Sequence, residues 1–236
     1  MKTAYLFLFL IAIVSGQVRI SEQGTTLDIQ AKWNDQPWLS RGRVNEMNWA
    51  QLLDDHNRMI ASAIYEFSPS SSSILYLGLN TGAVQRNILH SKRSYRITSV
   101  EVDQELISFY QTHRDDAYEQ DNHRVMAGSP YKLVSTMALK PLHYDVIVED
   151  IFNGDQLVHS FQDMKKLTPS LVVRHFNADT VDISNLITSY ESGLVDMDCV
   201  LLSKGHHSVL IAQSGISCAR VMGLSHFQVL NVRCSE

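Results

Sequence analysis

The apolar run Ser73-Ile74-Leu75-Tyr76-Leu77 ends at Gly78, and Gly82 then opens a stretch with helical spacing. Glycine has no Cβ, so backbone approaches a ligand closely there, and a helix N-terminus offers unpaired N–H groups to a polar group. A tight strand-to-helix turn needs glycine for steric reasons too, so Gly78 and Gly82 serve either purpose. About 20 residues further on, a second apolar run ends in Glu101-Val102-Asp103, where a carboxylate accepts the two hydroxyls of a ribose. Asp103 also reads as a helix cap. A third run over residues 144–149 delivers Asp150, with Asp155 shortly after. The carboxyl ends of strands line the ligand crevice of an open α/β sheet, and an acid there can take the proton of an amine as it attacks an electrophilic carbon. Asp145, at the start of that run, faces structure instead.

These residues need a sheet to bring them together, and the apolar pattern supplies one. Short strand-like runs fall at residues 74–77, 97–102, 124–127, 145–149, 171–176, 197–202, 208–212 and 227–232. Helical spacing fills gaps at 104–118, 157–167 and 180–190, and this alternation predicts a doubly wound α/β fold. Ahead of the first run, Leu52, Leu53, His56, Met59, Ile60, Ala63, Ile64 and Phe67 share one helix face. Earlier still, apolar and polar residues alternate over 17–36 around Gln23-Gly24, which predicts a β-hairpin. The expected division is a signal segment at 1–16, a hairpin and linker at 17–48, and the α/β domain at 49–236.

Taken in this order, the residues resemble the class I S-adenosylmethionine-dependent fold, and within it the spermidine synthase and methyltransferase-like family. The similarity covers residues 56–176. His56-Asn57-Arg58-Met59-Ile60-Ala61-Ser62 resembles the helix before the sheet, and Leu77-Gly78-Leu79-Asn80-Thr81-Gly82 the first glycine motif. Val100-Glu101-Val102-Asp103-Gln104-Glu105-Leu106-Ile107 resembles the ribose-acid motif. Residues 144–150 resemble the fourth strand with its catalytic-loop Asp, and Leu167-Thr168-Pro169-Ser170 the turn before the fifth.

The resemblance implies a mostly parallel Rossmann-like sheet with an N-terminal β-hairpin, and S-adenosylmethionine or its decarboxylated form as cofactor. It implies methyl or aminopropyl transfer to a small-molecule amine or a protein acceptor. Gly78 and Gly82, with Asn80 between them, would flank the methionine part of the cofactor; Glu101 would hold the ribose. Asp150 would orient or deprotonate the acceptor amine. The chain departs from the family in three places. Leu79, Asn80 and Thr81 replace a loop richer in glycine that carries an Asp. Ser129, in Gly128-Ser129-Pro130, offers the adenine a hydroxyl where the family places an acid. Asn153 stands where polyamine synthases carry a second Asp, for which Asp155 substitutes by a loop shift. Two expectations follow: a transferase with a degenerate site, or a secreted non-catalytic descendant that binds a small molecule or a protein.

Lys2, an apolar run over residues 4–14, then Ser15 and Gly16 read as a secretory signal peptide. The run is too short to span a bilayer, which takes about 20 residues. The expectation is a secreted, extracellular protein without a membrane anchor. A net charge of −5 with no basic stripe argues against nucleic acid as a partner. Of the three cysteines, Cys218 with Cys234 closes a short loop and leaves Cys199 as a core thiol, with the other two pairings still open. His206 and His207, with His175 and His226, invite a metal, but neighbours on a strand point to opposite faces, so none is expected. Trp33, Trp38 and Trp49 either cement the hairpin to the domain or build a homodimer contact.

Overall fold

A computed structural model describes residues 16–33, 39–91, 94–113, 117–137, 143–151, 167, 169–177, 197–222 and 224–233. The signal segment through Ser15, Trp38, Asp155, Cys234 and most of the helices expected at 157–167 and 180–190 lie outside these residues.

All eight apolar runs form strands of one sheet: β4 (Ser73–Leu77), β5 (Arg96–Glu101), β6 (His123–Ala127), β7 (Val146–Glu149), β8 (Leu171–Asn177), β9 (Asp198–Lys204), β10 (His207–Gln213) and β11 (Gln228–Arg233). Their spatial order is β11-β9-β10-β8-β7-β4-β5-β6. The five strands from β8 to β6 run parallel. β10 enters antiparallel between β8 and β9, and β11 closes that edge antiparallel to β9. From β4 the chain moves outward to β5 and β6, then returns to β7 on the other side. That reversal opens a crevice above the carboxyl ends of β4 and β7.

Both faces are covered, which is why the central strands read as continuous apolar runs. On one face α1 (Asp55–Phe67) buries Met59, Ile60, Ala63, Ile64 and Phe67 against Ile74, Tyr76, Val148, Val173, Val209 and Ile211. α2 (Ala83–Leu89) joins the same core through Val84, Ile88 and Leu89. The helix expected over 104–118 divides into α3 (Gln104–Thr112) and α4 (Ala117–Asn122). Asp103 caps α3, accepting the N–H groups of Glu105 at 3.0 Å and Leu106 at 3.3 Å. On the other face α5 (Pro130–Met137) sets Val134 against Leu75, Leu77, Ile147 and Leu210. α6 (Cys218–Met222) begins at Cys218, which is disulfide-bonded, whereas Cys199 keeps its thiol. Among the described residues no helix is long and apolar enough to cross a membrane.

The hairpin forms as β1 (Gly16–Gln23) and β2 (Thr26–Trp33), and a third strand, β3 (Leu39–Asn45), completes a separate antiparallel sheet. A register shift opposite Ile29 and Gln30 leaves Arg41 unmatched, a β-bulge that breaks the alternation of β3. Leu27, Ile29 and Val44 of this sheet pack with Trp49, Ala83 and Leu106 over the start of α2.

The turn into α2 depends on a missing side chain. Gly82 has φ +73, and a Cβ there would overlap the ring of Tyr110. That ring is pinned. Its hydroxyl donates to Glu119 and faces Nδ1 of His123 at 2.7 Å, while Nε2 of His123 meets Ser99 at 2.8 Å. Arg86 pairs with Glu119 at 3.0 Å and lies over the Trp49 and Tyr110 rings. Gly82→Ala is therefore expected to lower the unfolding free energy in urea by about 3 kcal/mol, from left-handed strain plus overpacking. Gly205→Ala, at φ +61 with open space around it, should cost only about 1 kcal/mol. Equal losses at the two sites would mean that Tyr110 does not constrain the turn.

Candidate functional site

The topology brings Gly78, Glu101 and Asp150 to the carboxyl ends of the neighbouring strands β4, β5 and β7, with Ser129 after β6 at the start of α5. The sequence placed them there, and the structure adds what each touches. Gly78 has φ +95, and a Cβ on it would overlap the Asp150 carbonyl. Asn80, itself left-handed at φ 49, donates from Nδ2 to that carbonyl at 2.8 Å. Leu79, Asn80 and Thr81 are all buried. Trp49 Nε1 donates to the Thr81 carbonyl at 3.0 Å, and Gln85 Nε2 to that of Leu79 at 3.4 Å. The glycine turn is thus packed against the protein's own atoms along its length.

Glu101 is buried, and its carboxylate is engaged by backbone. Oε2 accepts the Leu79 N–H at 2.9 Å; Oε1 accepts those of Val102 at 2.8 Å and Asp103 at 3.0 Å. It therefore ties the glycine turn to the start of α3.

Asp150 is only 1% exposed, and both of its oxygens have protein partners. Oδ2 accepts the Tyr76 hydroxyl at 2.9 Å, and Oδ1 lies 2.8 Å from Nδ1 of His175. Burial pushes the carboxyl up, but the hydrogen bond and charge of His175, with His56 and Tyr76, outweigh it and hold the group at about 2. An ionised carboxylate only accepts, so Nδ1 of His175 carries the proton. Its other nitrogen, Nε2, sits 3.0 Å from Nδ1 of His207. His56, at the start of α1, stacks on His175 with centroids 4.6 Å apart and lies as close to His207. Burial, with the neighbouring imidazoles, lowers His56 to about 4 and lowers His207 as well. Burial and the nearby Asp150 charge push the Tyr76 phenol well above its usual range.

Of the histidines singled out in the sequence, the structure joins His175 and His207, while His206 is exposed in the β9–β10 turn. The third member, His56, carried one signal: a polar side chain on the buried face of a helical pattern. No short spacing links positions 56, 175 and 207. Asp155 lies outside the described residues, and Ser129 is half-buried with its backbone carbonyl accepting the Leu133 N–H at 3.0 Å.

No family model matches the sequence, and no curated protein matches it. Solved structures do match in fold. A probable spermidine synthase from Corynebacterium glutamicum aligns with a TM-score of 0.69 at 14% identity, covering 89% of this chain and 82% of that one. Spermidine synthase from Thermotoga maritima aligns at 0.57 and 13% identity, covering 93% and 81%. Human Methyltransferase-like protein 13, solved in complex with SAH, aligns at 0.57 and 13% identity, covering 73% and 90%. The fold is that of spermidine synthases and class I S-adenosylmethionine-dependent methyltransferases.

The three N–H groups on Glu101 make its removal a stability experiment. Glu101→Ala is expected to lower the urea unfolding free energy by about 3 kcal/mol, because charge-assisted bonds are lost and buried donors are stranded. A loss below about 0.5 kcal/mol, the scatter of an unremarkable surface change, would show that the carboxylate does not hold the turn.

Proposed function

We propose that this chain is an exported binding protein, built on a transferase fold, that no longer transfers a group from an adenosyl sulfonium. The observation that carries the reading is the engagement of both acids the chemistry would need. A ribose diol asks its acid to accept two hydroxyls, and a carboxylate offers about four lone-pair sites. Glu101 already accepts three backbone N–H groups. A base must also turn a lone pair toward the acceptor amine, and it works best with a pKa near the working pH. Asp150 is held at about 2 between His175 and Tyr76. The buried glycine turn supports the same conclusion.

Export is supported by Lys2 and the apolar run after it, and by the disulfide at Cys218, since such bonds persist in oxidising compartments. Outside cells the sulfonium cofactor is scarce, so a site of micromolar affinity would stay empty. The bound ligand in this reading is a small molecule or a protein.

One arrangement favours a second reading. Gly78, Glu101 and Asp150 stand on adjacent strand ends, as methyl or aminopropyl transfer from S-adenosylmethionine or its decarboxylated form to an amine would require. Calorimetric titration of the folded chain with S-adenosylmethionine, S-adenosylhomocysteine and methylthioadenosine separates the two. The expected result is no binding of any of the three. Micromolar binding that disappears in a folded Glu101→Gln variant would overturn the proposal and restore the transferase.

A further inference from the structure

We infer that His56, His175 and His207 form a binding site for a zinc-type transition-metal ion. Their ligand nitrogens all lie within 4.8 Å of one another, and they come from three different elements, α1, β8 and β10. Nε2 of His175 and Nδ1 of His207 are 3.0 Å apart, close to the roughly 3.3 Å that separates two nitrogens bound to one tetrahedral zinc. An ion between them replaces the proton the two rings share, and His207 keeps its proton on Nε2 instead. The ring of His56 stacks on His175. A turn about its Cβ–Cγ bond, a torsion with a broad well, swings a nitrogen toward the same point.

The surroundings match what metal-bound histidines need. A ligating imidazole commonly donates its other ring N–H to a carboxylate, which fixes the ring and raises its basicity. His175 has this arrangement, with Nδ1 on Asp150, and Tyr76 in turn holds the second oxygen of Asp150. His56 and His175 are 4% and 6% exposed, so two of the three ligands are already held out of bulk water. Three imidazoles and no thiolate or direct carboxylate suit zinc, copper, nickel or cobalt rather than magnesium or calcium. A tetrahedral ion so held keeps its fourth position for water or another ligand. The site does not depend on whether the crevice also binds a nucleoside.

The probe is zinc(II) itself, titrated into the chelator-stripped full chain by calorimetry, with cobalt(II) absorption as a second readout. The expected result is one equivalent of zinc bound at micromolar affinity or tighter, and the visible spectrum of four-coordinate cobalt. His207→Gln, at a half-buried position, should weaken zinc at least about tenfold, and Asp150→Asn about 10- to 100-fold. His206→Gln, in the adjoining turn, should leave affinity unchanged. If Asp150→Asn does not fold, His207→Gln and His56→Gln carry the test. A folded wild-type chain that takes up no zinc, or uptake that survives both of those substitutions, overturns the assignment. Neither result bears on nucleoside binding, which the adenosyl titration measures separately.

Discussion

A negative charge buried at the end of β7 organises this crevice. Removing a carboxylate from water is costly unless hydrogen bonds and an opposite charge replace the solvent. Asp150 meets that demand with the Tyr76 hydroxyl from β4 and the His175 imidazole from β8. These partners sit on the two strands that flank β7, on the sheet face covered by α1, so the charge fastens the parallel half of the sheet where the topology would otherwise leave it open. His175 in turn meets His207 by hydrogen bond and His56 by stacking, so the histidine cluster is joined to the buried aspartate through one of its members.

Gly78 and Gly82 stand where a nucleotide-binding fold needs them, yet the space each lacks is filled from within. The Asp150 carbonyl lies over one and the Tyr110 ring over the other. Glu101 likewise stands at the end of β5, where the resemblance would put a ribose acid, and uses its carboxylate on the backbone of the turn and of α3. A fold can keep the residues of a ligand site for packing reasons alone, and the same sequence pattern then persists with a different cause.

The sheet was legible because both of its faces are covered: a strand buried on two sides must be apolar throughout, and such runs stand out against helical spacing. β3 was not, since a bulge at Arg41 interrupts its alternation and its sequence, Leu39-Ser40-Arg41-Gly42-Arg43-Val44-Asn45, is mostly polar. The positions of Gly78, Glu101 and Asp150 followed from strand ends. Their occupancy did not, because the partners of Glu101 are backbone N–H groups, which every residue carries and no letter of a sequence marks. The meeting of the three histidines was hidden for another reason. They lie on elements far apart in the chain, and the fold places β10 beside β8 antiparallel, so the first residue of β10 reaches the edge where the parallel strands end.

That antiparallel entry gives the paired His206-His207 a meaning of its own. In a hairpin, slipping one strand by a single residue turns every side chain to the opposite face. For most strands that exchanges apolar for polar and is heavily penalised, but Ser208, Val209, Leu210, Ile211 and Ala212 are buried on both faces of β10, so the slip is opposed by side-chain volume and by the few polar bonds of Ser203, Ser208 and Gln213. Because the two residues that straddle the end of the turn are both histidine, a one-residue register change would bring His206 to the place that His207 holds. The tandem pair makes the imidazole at this edge tolerant of small length changes in the β9–β10 hairpin.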